Sequence, residues 1–292
     1  MDYIIRATAS DGSARAFFAV STETANAAAK IHETSPVVSA ALGRTLTAAA
    51  LMGAMQKGDE ELVTVSIKSD GPIGGILVTA DNVGNVKGYP GNSWVELPLN
   101  SAGKLDVSEA VGQGTITVIK DIGLKEPYVG RSELISGEIA EDIAFYYYIS
   151  EQIPTAVMLG VLVDTDMSVK QSGGFIVQML PGASEEDSIE LEKRVKEIPP
   201  VTKMLEDGMS PEDICALVFP GGAEIHKSSD LRYNCGCDYE RIEKVLISLG
   251  KEDLTQIYEE DGKAEICCHF CKKAYQFSKD DLARILTEAS GK

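Results

Sequence analysis

Four cysteines near the C-terminal end of the chain have the spacing of metal ligands. Cys235 and Cys237 form a Cys-x-Cys pair, and Cys268 and Cys271 form a Cys-x-x-Cys pair further along. Four thiolates in two close pairs suit tetrahedral Zn²⁺ and leave no position open for a catalytic water. Zinc has no redox chemistry of its own, so an oxidant would attack the sulfurs. The spacing therefore predicts one structural zinc site that is sensitive to oxidation.

The remaining cysteines and a nearby histidine are predicted to lie outside this ligand set. Cys267 immediately precedes Cys268, and we expect its side chain to point to the opposite face of the strand. His269 is expected to be solvated or packed, and Cys215 is expected to be a small buried hydrophobic residue in a short helix. The alternative to zinc is that the four candidate ligands are unligated buried cysteines.

The elements that must position these thiols belong to a small C-terminal domain, residues 231–292. An amphipathic helix is predicted from the apolar spacing of Ile242, Val245, Leu246 and Leu249. Residues 265–268 and 274–277 can flank the Cys-x-x-Cys turn as a hairpin, and a last helix begins at Ser278. About sixty residues make a marginal core, which a metal would supplement.

Residues 1–178 predict a larger domain that contains both strands and helices. Residues 63–67 and 115–119 are typical of strands, whereas the Ala-rich residues 36–55 predict a buried helix. Residues 137–153 predict a second helix. Because no regular βαβ series is present, the fold class is predicted to be α+β: a large N-terminal mixed α/β domain, a helical linker and a small C-terminal zinc-binding domain.

Residues 179–230 predict a charged helical linker between the two domains. Ser184 and Ser210 are candidate N-caps, and prolines and glycines divide the segment into three short helices. Apolar side chains recur along these helices at Ile189, Leu191, Val195, Ile198, Val201 and Leu205. Such a stripe needs a surface to cover, so we expect the linker to pack over an apolar face of the first domain.

Charge and missing motifs exclude several function classes. The chain has 27 basic and 45 acidic residues in 292, a formal net charge of −18, so nucleic acid and anionic membranes are poor partners. The alternative function, a zinc-ribbon nucleic-acid-binding module, has only Lys272 and Lys273 in its favour.

No nucleotide-binding, zinc-protease or serine-hydrolase motif is found, so we expect no enzyme. No signal-peptide or membrane-spanning pattern is seen, and a cytoplasmic protein is expected.

Further motifs give the chain a resemblance to a known family. They are SPVVSAALGR (35–44), DGPIGGI (70–76), KDIG (120–123), GEIAED (137–142), SEQIP (150–154), GGF (173–175) and LPGA (180–183). With the Cys-x-Cys and Cys-x-x-Cys pairs in this order, the chain resembles the redox-regulated thirty-three-kilodalton heat-shock chaperones of bacteria, over nearly its whole length.

The resemblance implies an ATP-independent holdase, which is a chaperone that binds unfolding client proteins. The reduced, zinc-bound form would be inactive. Oxidation would form disulfides Cys235–Cys237 and Cys268–Cys271, release zinc, and unfold the C-terminal domain and linker to expose apolar surface. The active form would be a homodimer. The family does not require Cys267, so this chain departs from the simplest pattern there.

Overall fold

The chain divides into two units, Met1–Asn234 and Cys235–Lys292, each with its own hydrophobic core. The structure, a computed structural model, describes residues 1–58 and 60–289. Strands and helices occur in both units, which confirms the predicted α+β class. The predicted boundaries at residues 178 and 230 stay predictions.

Two sheets form the framework of the first unit. Its strands are β1 (Tyr3–Ala9), β2 (Ala14–Val20), β3 (Leu62–Ser69), β4 (Ile76–Asp81), β5 (Asn85–Pro90), β6 (Gly114–Asp121), β7 (Tyr128–Glu133), β8 (Thr155–Val163), β9 (Val169–Met179), β10 (Ala223–Asp230) and β11 (Arg232–Tyr233). The five-stranded sheet has the order β10-β1-β2-β9-β8, and the six-stranded sheet has the order β11-β5-β4-β3-β6-β7. Neighbouring strands are antiparallel except for β11, which pairs parallel with β5.

Helices cover these sheets. They are α1 (Thr22–His32), α2 (Pro36–Gly53), α3 (Val107–Val111), α4 (Ala140–Tyr146), a π-helical turn (Tyr147–Glu151), α5 (Glu185–Glu197), α6 (Val201–Glu206) and α7 (Pro211–Val218). The predicted strands at 63–67 and 115–119 lie within β3 and β6, and the predicted helix at 36–55 is α2. The predicted helix at 137–153 is present as α4 and the π-helical turn.

The central helix of the first unit is α2, which packs against strands of both sheets. Pro36 occupies its first turn, where the missing N–H of proline costs nothing. By length and composition α2 could cross a membrane, but 89% of it is buried inside the fold. Its apolar character is therefore that of a core helix.

Both faces of the five-stranded sheet are buried, because successive residues of a strand point to opposite sides. Phe17 of β2 belongs to the core around α2, whereas Phe18 belongs to a second core under α5, α6 and α7. We call α5–α7 the linker helices. The apolar surface beneath them, which we call the covered face, consists of Ile5, Ala7, Ala16, Phe18, Phe175 and Val177.

The linker helices begin where the sequence predicts. Ser184 and Ser210 each accept a hydrogen bond from the backbone N–H three residues later, and the carboxylates of Asp187 and Asp213 complete the two capping boxes. The side chains that these helices and the residue after α7 bury against the covered face are Leu191, Val201, Met204, Leu205, Ile214, Cys215, Val218 and Phe219. The predicted packing of the linker over an apolar face is therefore seen in the structure for Leu191, Val195, Ile198, Val201 and Leu205. Ile189 is predicted to share this stripe, but it is 60% exposed, because it points away from the sheet on the solvent side of α5.

Glycines in the sheet allow α6 to lie close to it. A Cβ atom at Gly160 of β8 would lie 2.7 Å from Cγ1 of Val201 and 2.8 Å from Cγ2 of Thr202. A Cβ atom at Gly173 of β9 would lie 2.7 Å from Cδ1 of Leu205. The close approach of α6 to the sheet is therefore possible because glycine has no side chain at these two positions.

The second unit is a hairpin surrounded by three helices: α8 (Tyr239–Ser248), α9 (Lys251–Glu260), β12 (Ala264–Cys267), β13 (Ala274–Phe277) and α10 (Lys279–Ala289). The predicted hairpin and the helices on either side of it are confirmed, and α9 is an additional element. The fully or nearly fully buried side chains are Ile242, Leu246, Leu254, Cys268, Tyr275, Phe277, Leu282 and Ile285. The small size of this core agrees with the expectation that it needs support.

Candidate metal centre

The structure brings the four predicted ligands together. The Sγ atoms of Cys235, Cys237, Cys268 and Cys271 all lie within 4.8 Å of one another. Sγ of Cys235 is 3.5 Å from that of Cys268, and Sγ of Cys237 is 3.2 Å from that of Cys271. A tetrahedral zinc–thiolate site has sulfur–sulfur separations of about 3.8 Å. The four sulfurs could therefore hold one metal ion, and soft thiolate donors are compatible with zinc.

The Cys-x-x-Cys half of the group lies on the turn between β12 and β13. The backbone N–H of Cys268 donates to the carbonyl of Lys273 at 3.0 Å, and that of Lys272 donates to the carbonyl of Cys268 at 2.8 Å. Lys272 has a φ of 58°, the left-handed conformation that closes the turn. These bonds place Cys268 and Cys271 on the same side of the hairpin end.

The Cys-x-Cys half lies just before α8. Gly236 has a φ of 61°, which a residue with a side chain adopts only at a cost, so glycine allows the bend between the two cysteines. Asp238 then caps α8, since its carboxylate accepts a hydrogen bond from the N–H of Arg241 at 2.8 Å. The bend and the cap hold both sulfurs at the start of α8.

Tyr275 is a further residue of this site, and no pattern in the sequence indicated it. Its hydroxyl lies 3.1 Å from the carbonyl oxygen of Cys237 and 3.1 Å from Sγ of the same residue, so its single O–H proton is shared between these two acceptors. The ring is almost completely buried in the core of the second unit. A hydrogen bond of this kind from outside the ligand set orients a ligand and adjusts its basicity.

Cys237 ionises more readily than Cys235 and Cys271. Burial raises the pKa of Cys235 and that of Cys271. Burial also opposes ionisation of Cys237, but hydrogen bonds from Tyr275 and the neighbouring cysteines outweigh it and lower the pKa of Cys237 to about 7. Because the thiolate is both the metal ligand and the nucleophile, Cys237 becomes reactive at lower pH than Cys235 and Cys271.

The other cysteines lie apart from this group. Cys267 is exposed, and its Sγ donates to the carbonyl of Lys272 at 3.4 Å. His269 is exposed. That Cys267 and His269 do not bind the metal stays a prediction. Cys215 is 2% exposed and lies in the core under the linker helices, as predicted, and burial raises its pKa to about 11.

Comparison with known proteins agrees with the fold and the cysteine pattern. The sequence model described as "Hsp33 protein" matches residues 2–278. This chain is a member of the Hsp33 family. Among its relatives is the 33 kDa chaperonin of Agathobacter rectalis, 52% identical over 285 residues, which cover 97% of this chain and 99% of the relative. The 33 kDa chaperonin of Lachnoclostridium phytofermentans is 49% identical over 290 residues, with 99% of each chain covered.

A solved Hsp33 structure has the same fold. The crystal structure of the 33 kDa chaperonin (heat shock protein 33 homologue) of Thermotoga maritima superimposes with a TM-score of 0.88 and 36% sequence identity, covering 99% of each chain. The family that the sequence motifs indicated is therefore confirmed, together with its α+β fold.

Proposed function

We propose that this Hsp33-family chain is a redox-regulated, ATP-independent holdase that binds unfolding proteins after its thiols are oxidised. The observation that carries the proposal is the group of four thiols within 4.8 Å of one another in a unit with a small core. Such a group joins two segments far apart in the sequence, so its chemical state decides whether they stay together. The proposed role is chaperone rather than enzyme, in the cytoplasm.

In the reduced protein, Cys235, Cys237, Cys268 and Cys271 would hold one Zn²⁺. The ion, when bound, would cross-link the start of α8 to the end of the hairpin. Zinc binding contributes on the order of 10–16 kcal/mol in zinc-finger peptides, whereas a whole domain is stable by only about 5–15 kcal/mol. On these magnitudes, the fold of the second unit depends on its four thiolates.

Oxidation would remove these thiolates in pairs. Two thiols and one hydrogen peroxide give one disulfide and two waters, so each pair loses two electrons and two protons to the peroxide. We propose the pairs Cys235–Cys237 and Cys268–Cys271. The sulfur–sulfur contacts at 3.5 and 3.2 Å run between the two motifs, and peptide mapping of the oxidised protein distinguishes the proposed pairs from Cys235–Cys268 and Cys237–Cys271. Either pairing leaves the second unit without its ligands, and we expect it to unfold.

The client-binding surface is proposed to be the covered face together with the apolar sides of the linker helices. Phe18 and Phe175 pack on this face with their rings tilted and their centroids 5.4 Å apart, and Phe219 contacts Phe18 edge-on at 6.5 Å. Exposure of contiguous apolar surface of this kind creates a protein-binding site. In the structure the linker helices bury it, which agrees with an inactive reduced state.

A few polar contacts hold the linker helices in place. Nη1 of Arg194 donates to the carbonyl of Val218 at 3.0 Å, which joins α5 to α7. The Tyr3 hydroxyl donates to Glu212 at 2.7 Å, which joins α7 to β1. Because exposed or half-exposed contacts contribute little, the apolar packing supplies most of the stability. We propose that the linker helices leave the covered face when the second unit unfolds, and that the active form is a homodimer.

The deciding experiment measures aggregation of a thermally unfolding test protein by light scattering, without ATP. Reduced and peroxide-treated samples are compared for the natural chain and for Cys267→Ser, a matched control that keeps all four candidate ligands. We expect both oxidised samples, and neither reduced sample, to keep the solution clear. Equal activity before and after oxidation, or none in either state, would refute the redox switch.

A further inference from the structure

A cavity of the first unit contains charged side chains that the proposed holdase does not use. It has a volume of about 330 Å³ and is lined by residues of both sheets, of the segment after α2 and of the π-helical turn. Pockets that bind small molecules begin at about this size. Its charged members are Arg15, Lys57, Glu61, Lys120 and Glu151, and the amide side chains of Gln56 and Gln178 also line it.

Arg15 is the unusual residue of this cavity. It lies on β2 directly opposite Gln178 of β9, and its Nε and Nη2 atoms donate to Oε1 of Gln178 at 3.1 and 2.7 Å. Gln178 is buried, so its amide fixes the plane of the guanidinium. The two bonds leave three of the five guanidinium N–H groups available to a ligand.

The positive charge of Arg15 is half-buried and has no counter-ion in the part of the chain that the structure describes. Burial lowers the pKa of Arg15, which shows that its surroundings oppose the charge. A buried charge without a partner is costly, and proteins normally pair it. A guanidinium held in this way, with N–H groups to spare, is well prepared to bind an anion.

The other charges of the cavity do not neutralise Arg15. Glu151 is paired with Lys120 and also accepts a hydrogen bond from the Tyr146 hydroxyl at 2.6 Å. Glu61 accepts a hydrogen bond from the backbone N–H of Lys57 at 3.0 Å. With three basic and two acidic side chains, the cavity has one positive charge in excess, whereas the whole chain is strongly acidic. A ligand that carries a single negative charge would balance it.

The remaining wall of the cavity is apolar. Met55, Ile122, Tyr147 and Ile153 contribute to its lining. Tyr147 is buried and its hydroxyl contacts the sulfur of Met55 at 3.2 Å, so this side of the cavity is fixed. The lining thus combines a cationic fork with an apolar surface, which is the arrangement that recognises an amphiphilic anion.

We propose that this cavity binds a small organic oxyanion, a carboxylate or phosphate whose head group pairs with Arg15 and whose short apolar part contacts Met55 and Ile153. The site uses none of the cysteines, so it does not depend on the redox proposal. Binding would stabilise the first unit by mass action, in proportion to ligand concentration.

The test titrates the full-length reduced protein, labelled with ¹⁵N, with inorganic phosphate, acetate and hexanoate. The Nε–H resonance of Arg15 reports binding directly in the natural chain. Arg15→Gln removes the charge, Arg15→Lys keeps the charge without the planar fork, and Arg131→Gln is the matched control on an exposed strand. Thermal unfolding without added anion shows whether each variant is folded.

We expect at least one probe to bind and shift the Arg15 resonance, with an affinity reduced at least about tenfold in Arg15→Gln and unchanged in Arg131→Gln. Tighter binding of hexanoate than of acetate would identify a carboxylate ligand, and tighter binding of phosphate would identify a phosphate ligand. The proposal is wrong if no probe at about 10 mM shifts the Arg15 resonance, since that excludes even millimolar affinity. It is also wrong if Arg15→Gln folds and binds as tightly as the natural chain.

Discussion

Replacing Gly160 by alanine should separate α6 from the sheet without any oxidant. The added methyl group would lie 2.7 Å from Cγ1 of Val201 and 2.8 Å from Cγ2 of Thr202, both closer than packed carbon atoms allow. The atoms within 3.4 Å belong to side chains of α6, and the φ of Gly160 is not in the left-handed region, so β8 itself can accept alanine. The strain therefore falls on the linker.

The size of the effect follows from this contact. Inserting a methyl group into a well-packed interface costs about 1–3 kcal/mol. If the cost is borne by the docked state of the linker helices alone, the undocked population rises about 5- to 150-fold. We therefore expect reduced Gly160→Ala to suppress client aggregation measurably, whereas the reduced natural chain does not.

Two assays measure this. Light scattering of a thermally unfolding test protein gives the chaperone activity of the reduced variant. Alkylation of Cys215 by iodoacetamide, followed by peptide mass spectrometry, gives the exposure of the linker core, because Cys215 is only 2% exposed when the linker is docked. The exposed thiol of Cys267 is the internal reference for reagent reactivity.

Gly221→Ala is the matched control, since no atom lies within 4 Å of a Cβ at that position. It should behave as the natural chain in both assays. If folded Gly160→Ala is inactive when reduced and its Cys215 reacts as slowly as in the natural chain, the linker does not undock as argued. If Cys215 reacts faster but no client is bound, the covered face is not the client-binding surface.

Three further outcomes are expected from the cysteines and their neighbours. Cys268→Ser should lose stoichiometric zinc and the hydrogen-exchange protection of the second unit, because one of four ligands is gone. Tyr275→Phe should weaken zinc binding at neutral pH by about tenfold or more in a chelator competition, since its hydrogen bond keeps the pKa of Cys237 low. Cys215, whose pKa is raised from 9.0 to about 11, should be alkylated about a hundredfold more slowly at pH 8 than an ordinary thiol, and its rate should still rise at about pH 10.

Each of these outcomes can be contradicted. A Cys268→Ser protein that retains full zinc and full protection would show that the ligand assignment is wrong. Unchanged zinc affinity in Tyr275→Phe would mean that the hydroxyl only packs. If the alkylation rate of Cys215 levels off near pH 9, as that of an exposed thiol does, the side chain is not buried in solution.

The sequence predicts the elements whose determinants are local. Helices α5 and α7 begin at serine–aspartate capping boxes, and the Cys-x-x-Cys turn connects two strands. Each of these signals is contained in a few consecutive residues. The four thiols are predictable as a group because metal ligands come in close pairs. The burial of Cys215 follows from its place on the apolar side of α7.

The elements that the sequence does not predict depend on distant residues. The start of α1 is capped by Asp2, whose carboxylate accepts hydrogen bonds from the N–H groups of Glu23 and Thr24 at 3.1 and 2.7 Å. Strand β10 has a mostly polar sequence and is held in the sheet by its pairing with β1. The contact of Tyr275 with Cys237 likewise joins residues far apart in the chain. By contrast, α9 has a local signal in the sequence, the helical spacing of Leu254, Ile257 and Tyr258.

Strands β9 and β10 have a consequence for recovery after stress. They belong to the same sheet with β1 and β2 between them, so the two ends of residues 180–222, which carry the linker helices, are anchored about 14 Å apart. Even when fully unfolded, residues 180–222 would remain a closed loop. The midpoint of this loop could reach about 70 Å from the sheet, so the unfolded linker could contact a client protein over that distance. Because both ends of the loop stay attached to the sheet, the linker helices can dock again without bringing distant ends together. Refolding of the linker should therefore be unimolecular and independent of protein concentration.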